Sequence, residues 1–165
     1  MPYVFLDFEA SSLSKDSYPV EVGWVGEDGT GEAHLIRPAP GWTEWDAEAA
    51  AIHGIGRQQL EHEGEPHGAV CARLIELFAK NTVCASAPSW DGHWLSMLLR
   101  ASGQPRHLIR LQDSDVAFSE AARNGSGDVE ARIAAAKAAA DPPGHRALAD
   151  ARREWSIWRA LVAAT

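Results

Sequence analysis

Asp7 and Glu9 stand two residues apart in Tyr3-Val4-Phe5-Leu6-Asp7-Phe8-Glu9-Ala10. The aromatic and branched residues of this stretch predict a β-strand. Side chains at i and i+2 of a strand share a face, so the two carboxylates emerge together. Like charges that close repel, and they are costly to desolvate. A divalent cation held by hard oxygen ligands is the simplest compensator. An edge strand with a solvated acidic end is the alternative for this pair taken alone.

Further acids arrive against the local pattern. Asp91 follows a short apolar run at the start of a helical pattern, and Asp150 lies in the last helix, five residues after His145. Four carboxylates converging from strand ends and helix starts could hold two divalent ions about 4 Å apart, the arrangement used in phosphoryl transfer. His145 follows Pro142-Pro143-Gly144, which places it in a loop at the mouth of the last helix. Its unperturbed pKa near 6.5 suits a general base acting on water. The histidines at 34, 62, 67, 93 and 107 read as surface or packing residues. No Cys/His spacing suggests structural zinc.

The elements that must position these groups follow from periodicity and punctuation. Residues 2–9 predict the first strand and 19–26 the second. An Asp28-Gly29 turn then leads into a third over 32–37, so the chain opens as an antiparallel meander. A short helix over 46–52 with Asp46 as N-cap ends at Gly54, and a second short segment spans 57–63. Apolar residues at 70, 74, 77 and 78 predict an amphipathic helix over 67–80. A buried strand over 82–85, a helix over 91–102 and a strand over 108–111 follow. Residues 114–140 read as helix broken at 124–128, with Asp128 capping the second piece. Positions 148, 151, 155, 158, 161 and 162 mark an amphipathic helix over 146–162. The order predicts one α/β domain over 1–165, with a mixed five-stranded sheet: the meander plus two parallel strands, flanked by helices. A central first strand in this order is that of a ribonuclease-H-like fold.

Composition sets outer bounds. The chain has 165 residues, 45% hydrophobic and 23% charged, enough for one domain with a core. A net charge of −8 argues against holding nucleic acid by a broad basic surface, though bound metal would change the local sign. No apolar run is long enough to span a membrane. The N-terminus enters strand pattern with no signal-like stretch, which predicts a cytoplasmic protein. Cys71 and Cys84 read as reduced core residues.

Three motifs together resemble the DEDDh 3′–5′ exonucleases, the proofreading-type, ribonuclease-T-like branch of the ribonuclease-H-like superfamily. Asp7-Phe8-Glu9 matches the first, Trp90-Asp91 the second, and His145-Arg-Ala-Leu-Ala-Asp150 the third. His53-Gly54-Ile55 is similar to a family segment between the first two. The resemblance covers nearly the whole chain, in order. It implies Asp7, Glu9, Asp91 and Asp150 as ligands of two Mg2+ or Mn2+ ions, with His145 activating water. Substrate contacts are implied at Ala10, Ser11 and Leu13 beside the terminal nucleotide, and at His53 and Ile55 on its sugar or base. The implied substrate is a single-stranded DNA or RNA 3′ end, released as nucleoside 5′-monophosphates. Homodimers are common among small members.

Two positions depart from the family pattern. Ala87 stands where a supporting Asn is usual, and Trp90 where Phe or Tyr is. Ala10-Ser11-Ser12-Leu13 replaces a Thr-Gly-type segment. Trp42, Trp45, Trp90 and Trp94 are candidates for stacking on unpaired bases, whereas Trp24, Trp155 and Trp158 read as core. Arg146, Arg152 and Arg153 read as a solvated helix face or as phosphate contacts. Two rival readings stand beside this one: an RNA-trimming exoribonuclease, distinguished by contacts to the 2′-OH, and a non-catalytic partner module.

Overall fold

The computed structural model describes residues 1–164. Five strands form one mixed sheet in the order β3-β2-β1-β4-β5. β1 (Tyr3–Ala10) is central. It pairs antiparallel with β2 (Pro19–Gly26), which pairs antiparallel with β3 (Gly31–Leu35). On its other side it runs parallel to β4 (Thr82–Ala85), which runs parallel to β5 (Gln112–Asp113). The expected meander and two parallel strands are therefore present. The fifth strand is shifted: 108–111 is irregular, Leu108 is 46% exposed, and pairing begins only at Gln112. Ile109 and Leu111 still pack against the core from this irregular stretch, so the apolar pattern reports burial rather than strand pairing.

Seven helices flank the sheet: α1 (Ala47–His53), α2 (Arg57–Glu63), α3 (His67–Lys80), α4 (Pro88–Ala101), α5 (Ser114–Arg123), α6 (Val129–Ala139) and α7 (Ala147–Ala163). The two faces of β1 feed two cores. Val4, Leu6 and Phe8 pack with α3 and α4, through Leu74, Leu95 and Leu98. Phe5 packs on the other face with Phe118, Ile157 and Leu161 of α5 and α7. By strand alternation Asp7 and Glu9 share the face of Phe5, towards α7. Asp46 and Asp128 cap α1 and α6 as their residue types predict, accepting from Glu48 N and Ala131 N. α4 begins at Pro88, three residues earlier than its apolar pattern suggests, because Pro is well suited to a first helical turn.

α7 lies unusually close to the sheet at one point. Gly23 of β2 pairs with Asp7, and a Cβ there would meet Leu148 N at 2.5 Å and the Ala147 carbonyl carbon at 2.8 Å. Only glycine lets the first turn of α7 descend onto the strand beside Asp7. Cys71 and Cys84 are both free and buried, as expected. Among the described residues, no helix is long and apolar enough to cross a membrane.

Candidate active site

The C-terminal half of β1, the first turn of α4 and the first turn of α7 meet at one cleft of about 240 Å³. Asp7, Glu9, Asp91, His145 and Asp150 all line it. Ligand oxygens of Asp7, Glu9 and Asp150 lie within 4.8 Å of one another. Asp91 lies deeper, 2% exposed, and crosses from α4 to the central strand. Its Oδ1 accepts from Phe8 N at 3.2 Å, while its Oδ2 is buried with no hydrogen-bond partner.

Asp150 also organises the loop before α7. Gly144 N donates to its Oδ1 at 2.7 Å and His145 N to its Oδ2 at 3.1 Å. These bonds bend His145 into the left-handed region at φ 56°, the one non-glycine residue there among the described residues. Such a conformation is stored strain, and His145 lines the carboxylate cleft while remaining exposed. Glu21 holds the loop from below. It is 2% exposed, opposite Glu9 on β2, and accepts from Arg146 Nε at 2.7 Å and Ala147 N at 3.1 Å. Arg146 is exposed, and its guanidinium is paired with the buried Glu21. The clamp was invisible in sequence, although a Glu amid the apolar residues of β2 is the kind of break that marks a partnered acid.

The electrostatics are one-sided. Burial, then repulsion from Asp91, Glu9 and Asp150, pushes Asp7 well above the carboxylate range. Burial and the charges of Asp150 and Glu21 raise Glu9 to about 7, against the pull of Arg146. Burial raises Asp91 to about 7, opposed by the Phe8 and Ala87 N–H groups. Glu154, one helical turn beyond Asp150, is a further buried acid with a raised pKa, set mainly by desolvation. Acids drawn together without a matching cation, one with an orphaned buried oxygen, fit a divalent ion. An all-oxygen donor set suits a hard divalent cation.

The expected substrate contacts divide. A second cleft of about 250 Å³ shares Phe8, Glu9, Leu13, Trp94 and His145 with the first, and extends to Ala10, Ile52 and His53. Leu13 and Ile52 are 70% and 62% exposed beside it. Trp90 is 37% exposed, stacked on Trp94 at 5.7 Å. Trp94 itself is 6% exposed and donates Nε1–H to Ser17 Oγ. His53 is 5% exposed with both ring nitrogens engaged: Nδ1 accepts from Ile55 N, and Nε2 meets Ala10 O at 3.2 Å. It is thereby held neutral, with its pKa lowered chiefly by burial.

Three expectations are corrected. Ile55 is in the hydrophobic core and lines neither cleft. Ser11 is buried, spanning Glu44 and Tyr18 N, and braces the β1–β2 loop. Trp42 stacks on Tyr18 in the core, and Trp45 packs edge-on to His53. Each is an apolar or small residue whose burial depends on distant chain, which local sequence does not report. A larger cleft of about 510 Å³ opens around the start of β1, but Arg73 already neutralises its Glu32.

Sheet order and cleft position define a ribonuclease-H-like α/β fold. E. coli exonuclease I shares it. In complex with a dT13 oligonucleotide, that enzyme superposes with a TM-score of 0.69 at 19% identity, over 99% of this chain and 41% of that one. Its zinc-bound complex with single-stranded DNA gives 0.68 at 18%, over 93% and 38%. A further exonuclease I structure, interpreted in terms of processivity, gives 0.68 at 19%, over 93% and 39%. The chain therefore spans about two fifths of these structures, and identity this low establishes the fold alone. No family model matches the sequence, and no curated protein matches it significantly.

Proposed function

We propose that this chain is a DEDDh-type, divalent-metal-dependent 3′–5′ exonuclease acting on single-stranded nucleic acid. One observation carries the reading: Asp7, Glu9 and Asp150 converge within 4.8 Å, with Asp91 and His145 on the same cleft. The four carboxylates would hold two Mg2+ or Mn2+ ions. Such ions, when bound, neutralise charge at a phosphate and lower the pKa of an attacking water.

His145 takes the proton from that water, which attacks the terminal phosphodiester; the 3′-oxygen departs and a nucleoside 5′-monophosphate is released. Glu21, through Arg146 and Ala147 N, keeps the His145 loop against the carboxylates. Leu13, Ile52 and the exposed edge of Trp90 offer apolar surface to the unpaired terminal bases. The buried His53–Ala10 contact makes the floor beside them.

The test is a time course on 5′-labelled single-stranded DNA and RNA of one sequence, with Mg2+, Mn2+ or EDTA. A metal-dependent ladder shortening from the 3′ end is expected, and the faster ladder names the preferred sugar. No cleavage of either strand, with metal shown bound by calorimetry, would replace this reading with a binding module.

A further inference from the structure

The chain carries a net charge of −8, yet one face gathers cations without acids. A cleft of about 390 Å³ lies between α4 and the loop leading to β5. Arg100, Arg106, His107 and Arg110 line it together with His93 and Ser96. No carboxylate lines it among the described residues. Arg106, His107 and Arg110 are exposed, and among the described residues none of them forms a salt bridge or side-chain hydrogen bond. Repulsion is already visible: desolvation, then the charges of Arg110 and Arg106, lower the pKa of His107.

Two polar atoms of its lining residues are buried without a partner. Ser96 is 6% exposed and its Oγ has no partner. His93 Nε2 is likewise buried and unpartnered. Both atoms are closed off from solvent, so the exposed Arg106, His107 and Arg110 are the groups that would meet an anion in this recess.

The recess connects to the acidic site. Trp90 lines the carboxylate cleft and also a shelf shared with Lys15, Ser89 and His93; Ser89 and His93 in turn line the basic cleft. From Asp91 to Arg100 the helix axis runs about 14 Å, which spans about four phosphates at the ~3.4 Å axial spacing of a stacked strand. We propose that this basic cleft is a second, upstream subsite, gripping phosphates of the same single strand whose 3′ end lies among Asp7, Glu9, Asp91 and Asp150. The inference rests on the exonuclease reading and adds to it where the body of the substrate lies. It also explains how so acidic a chain holds a polyanion: one local track of unpaired cations suffices.

The experiment compares wild type with Arg106→Glu/Arg110→Glu and Arg106→Gln/Arg110→Gln. Binding of labelled dT oligonucleotides of increasing length is read by anisotropy in EDTA across a salt series, so no cleavage intervenes. Hydrolysis of thymidine 5′-monophosphate p-nitrophenyl ester, too short to reach the cleft, monitors the carboxylate site in Mg2+ and Mn2+. Expected are a loss of about tenfold or more in affinity for long strands, a salt slope reduced by about 1.4 for two lost contacts, and unchanged ester hydrolysis. Equal affinity and slope for wild type and both variants, with ester hydrolysis intact, overturns the subsite. Displacement of the oligonucleotide by poly-glutamate at equal charge overturns it too, in favour of an acidic protein partner. Absence of ester hydrolysis by the wild type itself counts against the exonuclease reading, and is scored separately from the binding difference.

Discussion

Replacing Asp91 by Asn should stabilise the metal-free protein while disabling it. The folded carboxyl has its pKa raised to about 7, first by burial. An unfolded chain holds an Asp near 3.9, so the difference is about three units, or about 4 kcal/mol at 1.36 kcal/mol each. The sign follows from proton counts. Between about pH 4 and about pH 7 the folded carboxyl keeps a proton that the unfolded one has lost. Stability therefore falls as pH rises through that window, and below it the contribution vanishes. The carboxamide carries no charge, and its oxygen can still accept from Phe8 N. Its amide replaces an oxygen that has no partner, at a cost of about 1–3 kcal/mol. A net gain of roughly 1–3 kcal/mol remains above about pH 7. Urea unfolding in EDTA at about pH 7.5 and about pH 4.5 reads it: Asp91→Asn is more stable at the higher pH, and the advantage disappears at the lower. Added Mg2+ should stabilise the wild type, by about 2.7 kcal/mol at a hundredfold excess over Kd, and the variant much less. A variant less stable than wild type at the higher pH, or an advantage equal at both, would refute the claim that this carboxylate is uncompensated without metal.

Other perturbations probe the supports of the site. Glu21→Gln keeps an acceptor for Ala147 N but loses the ion pair to Arg146; kcat should fall by about 10–100-fold with metal affinity, read by calorimetry, nearly unchanged. Gly23→Ala forces a Cβ to within 2.5 Å of Leu148 N and must lift the start of α7; a loss of about 1–3 kcal/mol in denaturant unfolding and about 100-fold in rate is expected. His145→Ala and His145→Gly should both lose most turnover while keeping Mg2+ binding. The glycine variant should be more stable than the alanine variant by about 1 kcal/mol, because it removes the strain at φ 56°. Near-wild-type hydrolysis by either would remove His145 from the proton transfer.

The elements that depend on local chemistry were readable from residue order. Asp7 and Glu9 share a face because strand alternation requires it, and they do so in the fold. Asp46 and Asp128 cap where side-chain oxygens can reach the next amide groups. The meander, the helix over 67–80 and the last helix follow from period and turn chemistry. The fifth strand failed this reading because 108–111 lies outside the sheet and only Gln112–Asp113 reach β4.

What the tertiary structure decided is which side chains meet across long separations. Glu21 and Arg146 are 125 residues apart, and no local pattern pairs them. Ser11, Trp42 and Ile55 sit beside polar or glycine-rich segments that resemble binding loops, yet the fold buries all three. The basic cleft arises the same way, from an α4 face and a loop that no periodicity describes. Sequence alone specified which chemistry was present, since residue types and strand or helix period are local properties. Packing alone decided which of those groups are exposed, partnered or left charged and unpaired, because burial is a property of the whole chain.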